Sequence, residues 1–349
     1  MRVKFFNPGK EYKQLKKELL PKIDDVLSRG DLILRKDVEI FENKLAKYIG
    51  VKYACGVNSC TDALYLSLKY LGIGKGDQVL VPSRTFVASV QVIVQLGAEP
   101  VYYDLNGNSE GWKNIKAIIP VHIEGEIDSN MDTILNTLKR FKVPVIEDSA
   151  QALGATYKGK MAGSIGLSGC FSFYPAKILG ACGDAGALVT NDKKLYEWAK
   201  EARNHFKNTN KDWGINSRLD NLQACILNVK FKYHKRNLAR RKKIAMMYDK
   251  GLRDLKITLP EPSKDRVWQD YIIRLDSKRQ RDRLFDYLKE KGIETMKNNY
   301  PFPVKKLPLA QAYEDETLRL PCNPMLNDSE INYIIKKVKE AKNALEIRV

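Results

Sequence analysis

Between Tyr53 and Glu147 short apolar runs alternate with amphipathic stretches, and this alternation constrains the fold more than any other feature of the chain. Tyr53 to Val57, Gln78 to Val81, Pro100 to Tyr103, Lys116 to Val121 and Pro144 to Glu147 read as buried strands. Asp62 to Leu71, Ala88 to Leu96 and Met131 to Phe141 between them read as helices. Strand followed by helix followed by strand implies a parallel sheet covered on both faces, an α/β architecture. Ligands in such sheets bind beyond the carboxyl ends of the strands. Asn58 to Thr61, Ser83 to Phe86, His122, Asp148 and Ser172 to Lys177 all fall at or after those ends.

The last of these groups belongs to CFSFYPAKILGACGDAGALVTND, Cys170 to Asp192. FSFYP reads as a buried strand, and Gly180, Gly183 and Gly186 precede a second apolar run ending in turn formers. Lys177 stands in apolar, glycine-rich chain. Burial disfavours the charged form of an amine and leaves it nucleophilic, which suits a Schiff-base lysine. A lysine whose stem lies along the surface while its head reaches water fits the same stretch. The turn Asn58-Ser59-Cys60-Thr61 joins a strand to a helix and would aim free N–H groups at an anion. It carries no GxxxxGK[ST], so a Walker-type nucleotide loop is not indicated.

After Asp192 the pattern changes. Leu195 to Phe206 is helical, and a long helical region runs from Leu219 to about Leu252. The last part alternates strand (Asp270–Leu275), helix (Arg279–Lys291), strand (Ile293–Met296), a proline-rich stretch, Leu318–Leu320 and a helix from Asp328, with Asp328 as its cap. The expected division is 1–228, an N-terminal segment with the large domain, and 229–349, a linking helix with a small α+β domain.

Charge widens the choice of partners. The chain has 349 residues and a formal charge of +18. Nucleic acid, or an anionic small molecule such as a nucleotide-linked substrate, would suit that sign. The densest block, KFKYHKRNLARRKK (Lys230–Lys243), reads as one basic helix. It lacks the interleaved aromatics of a single-strand-binding platform, which argues against nucleic acid. The six cysteines form no CxxC pair and there are three histidines, so a metal site is not expected and the thiols read as free. No apolar run reaches the ~20 residues of a membrane span. MRVKFFNPGKEY lacks a signal-peptide core, which makes the cytoplasm the default location.

Six motifs in order carry a resemblance: GVNSCTDAL (56–64), VPSRTFVAS (81–89), IIPVH (118–122), VIEDSAQALGATYKGK (145–160), CFSFYPAKILGACGDAGALVTND (170–192) and INSRLDNLQACIL (215–227). Together they resemble the DegT/DnrJ/EryC1/StrS family of sugar aminotransferases, from about Gly30 to the final helix. The resemblance implies the type I fold of pyridoxal phosphate (PLP) enzymes, aspartate-aminotransferase-like, with PLP as cofactor. Lys177 matches the Schiff-base lysine that also moves the proton. Asp148 matches the carboxylate that pairs with the pyridine nitrogen and keeps it protonated. Gln151 matches the residue bonded to the phenolic oxygen, and Phe86 an aromatic stacked on the ring. Ser59, Cys60, Thr61 and Ser172 match the phosphate site. Asn216 matches an asparagine reaching the phosphate from a neighbouring subunit, which implies a homodimer with a shared active site. His122, Tyr174 and Arg218 match positions on the substrate side.

The implied reaction moves the amino group of L-glutamate onto a nucleotide-linked keto-deoxy sugar, with a 4-keto group set ahead of a 3-keto one. Position 177 is Lys rather than the His of dehydrating members. Departures fall elsewhere: a short Asp104–Lys116 segment, IEGEIDSNMD (123–132), Asn299 where a histidine is common, and a shortened stretch between Tyr313 and Leu318. These regions usually meet the sugar and nucleotide, so a catalytically silent binding or regulatory protein that keeps the PLP fold is the second reading.

Overall fold

The computed structural model describes residues 1–107, 115–210, 212–298 and 304–346. Asn299 and most of the short segment after Asp104 lie outside the described residues.

Seven strands follow one another in the order Glu99–Tyr103, Gln78–Pro82, Ile115–Ile118, Ile146–Asp148, Ser168–Ser172, Gly186–Thr190 and Tyr53–Val57. The middle junction rests on bridges rather than a full ladder: Ile118 to Val145 and Val121 to Asp148, with Asp148 N–H donating to Pro120 O at 2.9 Å. Gly186–Thr190 runs antiparallel to both neighbours, and the other pairs imply one common direction. No helix separates Ser168–Ser172 from Gly186–Thr190, so the chain returns without a crossover.

Alternation along the strands divides the core in two. Cys55, Val57, Cys170 and Leu188 face one cluster, with Leu64, Leu66 and Val92 of the helices Cys60–Tyr70 and Val87–Gln95. Ala54, Phe171, Ala187 and Val189 face the other, with Phe41, Leu45 and Leu227 of the helices Lys36–Ile49 and Asn221–Phe231. Both faces are therefore buried, which is why these strands read as unbroken apolar runs.

A second core gathers Ile244, Tyr248, Tyr271, Ile273, Leu284, Leu318 and Ile334. It belongs to a three-stranded antiparallel sheet, with Thr317–Leu320 between Tyr271–Arg274 and Met296–Lys297, packed with the helices His234–Leu252, Lys278–Glu290 and Asp328–Glu346. Val3 is fully buried in this core, and Val3 N–H donates to Gly292 O at 2.8 Å. The first residues of the chain thus pack with the last hundred.

Three local readings need correction. The basic block is not one helix: Asn221–Phe231 ends and His234–Leu252 begins across Lys232 and Tyr233. Lys230 and His234 are buried, Lys230 Nζ donating to Glu11 at 2.7 Å and Gly180 O at 2.8 Å, so the block is not a uniformly solvated cationic face. The strand expected from Ile293 is Met296–Lys297, because Ile293 is taken by Val3. The last helix is capped by Asn327, not Asp328. Asn327 Oδ1 accepts from Glu330 N and Glu330 Oε2 from Asn327 N, each at 2.8 Å, a capping box. Asp328 pairs with Arg240 and Lys243 instead.

Candidate active site

A cavity of about 420 Å³ opens at the carboxyl ends of the strands, against the small domain. Ser59, Cys60, Thr61, Phe86, His122, Asp148, Gln151, Ser172, Tyr174 and Lys177 all line it, from five separate stretches of chain. Asn216 and Arg218 do not. Asn216 is exposed, and Arg218 Nη1 donates to Asn204 Oδ1 at 3.1 Å.

Lys177 follows the strand Ser168–Ser172 in a tight turn, its N–H donating to Tyr174 O at 2.9 Å. Gly180 closes that turn, where a Cβ would stand 2.2 Å from Pro175 O. The amine of Lys177 makes no hydrogen bond or ion pair among the described residues. Burial lowers its pKa from the ordinary 10.5, against an opposing pull from Asp148. The result is an amine held neutral more readily than a surface lysine.

Asp148 ends the strand Ile146–Asp148 and is almost completely buried. Its carboxylate is fixed from three sides. Ser89 Oγ donates to Oδ2 at 2.6 Å, Ala150 N–H to Oδ1 at 3.1 Å, and the Cys60 thiol lies 3.7 Å from Oδ1. Burial, and then Asp148 itself, push the Cys60 thiol well above its ordinary pKa, so it stays a neutral donor. A buried, oriented carboxylate of this kind suits a protonated ring nitrogen.

The anion end is built by the helix Cys60–Tyr70. Ser59 caps it, Oγ accepting from Asp62 N at 3.1 Å, while Ser59 O accepts from Ala63 N. Of the helix's first four N–H groups, those of Cys60 and Thr61 remain for a ligand. Gly186 lets the next strand approach this turn, since a Cβ there would lie 2.3 Å from Ser59 C. Ser172 adds a hydroxyl that accepts from Tyr174 N at 3.3 Å. Phe86 is 45% exposed, and its apolar ring lines the cavity. Donors for a phosphate, a carboxylate for a ring nitrogen and an amine for an aldehyde therefore share one cavity. The residues present fit PLP.

His122 is fully buried, and both its nitrogens are committed. Nδ1 accepts from Asp128 N at 3.2 Å and Nε2 lies 3.0 Å from Glu147 Oε2. Glu147 points away from Asp148, by strand alternation, and also accepts from the N–H groups of Gly163, Ile165 and Gly166 at 2.7–2.8 Å. Gln151 Oε1 accepts from Glu124 N at 2.8 Å. Glu124 has φ +62 in a non-glycine residue, pairs with Arg84 and accepts from Tyr313 at 3.1 Å. This group borders a second cleft of about 360 Å³ that shares Val121, Ile123 and Asp270 with the first.

Sequence reasoning missed Ser89, Glu147, Arg241, Asp270, Arg319, Phe5 and Phe6. Arg241 is buried with Nη1 on the carbonyls of Trp268, Gln269 and Cys322, and Arg319 pairs with Asp270 at 3.2 Å. The motif VPSRTFVAS contained Ser89, and its place three residues after Phe86 was the available signal. Among the described residues no helix is long and apolar enough to cross a membrane.

Comparison with known proteins bears on the same architecture. The DegT/DnrJ/EryC1/StrS aminotransferase family matches residues 13–339. A dTDP-3-amino-3,6-dideoxy-alpha-D-galactopyranose transaminase of Aneurinibacillus thermoaerophilus is 37% identical, over 92% of this chain and 94% of its own. A pleiotropic regulatory protein of Geobacillus stearothermophilus is 35% identical, over 97% of this chain and 98% of its own. The crystal structure of S. venezuelae DesV in complex with a ketimine intermediate superposes with a TM-score of 0.89, 34% identity, and coverage of 97% and 98%. That agreement gives the α/β architecture its place as a type I PLP-enzyme fold, a large domain with a mostly parallel sheet and a small α+β domain. The chain belongs to the DegT/DnrJ/EryC1/StrS aminotransferase family, whose chemistry depends on pyridoxal phosphate.

Proposed function

We propose that the chain transfers the amino group of L-glutamate to the keto carbon of a nucleotide-linked deoxy sugar. The observation that carries this reading is the Lys177 amine, unpartnered among the described residues and with lowered proton affinity, in one cavity with the fixed carboxylate of Asp148. PLP, when bound, supplies the electron sink that makes the amino-acid α-proton removable. Cys60, Thr61 and Ser172 would hold its phosphate and Phe86 would cover its ring. Asp148 would hold a proton at the ring nitrogen. Lys177, once its amine is free, takes the proton from one carbon and returns it to another.

Arg241 and Arg319 line the small-domain wall together with Asp270, which pairs with Arg319, and the guanidinium in excess of that pair suits a carboxylate of glutamate. Asn216 and Arg218 lie off their own chain's cavity, which supports a homodimer in which they serve the partner's site. The 4-keto acceptor set first by the sequence is joined by a 3-keto acceptor, a reading supported by the name of the dTDP-sugar relative.

A silent regulatory protein is the second reading, favoured by the name of the Geobacillus relative. One experiment separates the two. Protein mixed with PLP is expected to show the absorption band of lysine-bound cofactor, which borohydride fixes onto the Lys177 peptide. Glutamate is expected to convert that band, and a sugar-nucleotide acceptor to restore it. Absence of the band overturns the PLP assignment, and a band that glutamate leaves unchanged establishes the silent reading. NMR of the product reads the aminated carbon, and sedimentation at the dimer mass checks the assembly.

A further inference from the structure

The N-terminal arm is fixed on both sides of two phenylalanines. Upstream, Val3 bridges Ile293, and Phe5 N–H donates to Glu294 Oε2 at 3.1 Å. Downstream, Asn7 caps the helix Pro8–Arg29, its Oδ1 accepting from Lys10 N at 3.1 Å. Between these anchors Asn323 Nδ2, itself at the cavity, donates to Lys4 O at 3.3 Å and Phe5 O at 2.9 Å. Phe5 and Phe6 are left half-buried, and both line the cavity that contains Lys177. The stretch matched to the family begins at residue 13, so the arm lies outside it.

We propose, resting on the acceptor reading above, that Phe5 and Phe6 are specificity-determining residues that form the wall for the C–H face of the sugar ring. Ser59, Asp148, Ser172 and Lys177 come from the sheet, and the arm faces them from the small domain. The cofactor contacts fall on the sheet side, which leaves the arm to the substrate. Phenylalanine offers an apolar, polarisable face and no hydrogen-bond partner. A ring hydroxyl pressed against it would lose water without replacement, whereas a deoxygenated carbon would not. The arm therefore selects acceptors deoxygenated on the face it covers, and it does so without a polar contact.

The test uses full-length, PLP-loaded protein with two substrates read separately. The probes are glutamate and a panel of dTDP- and UDP-linked 3-amino- and 4-amino-6-deoxyhexoses, which drive the second half-reaction in reverse. Phe5→Ala and Phe6→Ala are each expected to raise the amino-sugar concentration for half-maximal rate about tenfold, equivalent to ~1.4 kcal/mol. Phe5→Leu and Phe6→Leu are expected to restore part of it. The glutamate half-reaction is expected to stay within about twofold of the parent, a split that a general loss of structure would not give. Equal loss in both half-reactions, or no change with the sugar, overturns the role of the arm. A parent protein that converts glutamate but none of the panel overturns the acceptor reading, and the arm's role with it.

Discussion

Replacing Glu147 by Gln removes a charge that no substrate touches, and the cost can be worked from its partners. Oε1 accepts from Ile165 N and Gly166 N, both at 2.7 Å. Oε2 accepts from Gly163 N at 2.8 Å and meets His122 Nε2 at 3.0 Å. Glutamine keeps one accepting oxygen and turns an NH2 toward the other pair of donors. If the NH2 faces Ile165 and Gly166, two buried N–H groups lose their acceptor. If it faces Gly163 and His122, the histidine can accept only by moving its proton to Nδ1, which then loses the bond from Asp128 N. Either way two buried hydrogen bonds disappear and leave their donors unsatisfied, each at a cost of ~1–3 kcal/mol. Relief of the buried charge offsets part of this. A net loss of about 3–5 kcal/mol follows, against the ~5–15 kcal/mol that holds a typical protein folded. Cofactor-free Glu147→Gln is expected to melt on the order of 5–10 °C below the parent. Hydrogen exchange at the amides of Gly163, Ile165 and Gly166 should quicken first. A melting point within about 2 °C of the parent, with those amides still protected, would refute the reasoning, because the loop would then hold itself.

Burial lowers the folded pKa of Lys177 below 10.5, so the unfolded chain binds a proton that the native chain rejects. Stability of the cofactor-free protein should therefore rise with pH up to about 10.5, and Lys177→Met should melt higher than the parent at neutral pH, the gap closing as pH rises; a gap independent of pH would contradict this. His234, fully enclosed beside Arg241, has its pKa pushed down to about 4 from 6.5, chiefly by burial. Its contribution is present above 6.5 and is lost as pH falls toward 4, and 2.5 pH units at 1.36 kcal/mol each give ~3 kcal/mol. Urea midpoints at pH 7 and 4.5 should converge in His234→Gln, and an unchanged acid slope would assign the loss elsewhere. Ser89→Ala removes the 2.6 Å donor to Asp148 and should weaken PLP binding about tenfold or more in a titration; unaltered affinity would mean that Ala150 and Cys60 suffice.

The strands of the large domain were legible because both faces are buried and the apolar runs are unbroken. Tyr53–Val57 falls where the sequence puts it, and Gln78–Pro82 differs by one residue. FSFYP was less legible: the strand stops at Ser172 and Phe173 turns into the lysine loop, bonding Ala185 O and Ala181 N. The basic block failed because local charge says nothing about Gly180 O and Glu11, which draw Lys230 inward. Residues on the cavity could be named where a motif carried them. The roles of Ser89 and Glu147, inside motifs but behind the cavity, and of Arg241 on it were not, since their partners lie 59, 16 to 25 and 27 or more residues away, and no periodicity records such contacts. The arm was invisible for the same reason, because Phe5 and Phe6 acquire a role only once Val3 is stitched to Ile293.

The reversed strand Gly186–Thr190 has a mechanical consequence. It clamps both ends of the lysine loop to adjacent rungs of one sheet, with Phe173 N–H on Ala185 O at 2.7 Å at the neck. The loop is thus stapled at both ends to the sheet, whereas the opposite wall, carrying Arg241, Arg319 and the phenylalanine arm, rests on a separate core. A substitution in the arm therefore leaves the sheet's hold on the Lys177 loop untouched, because the two walls of the cavity draw on different cores.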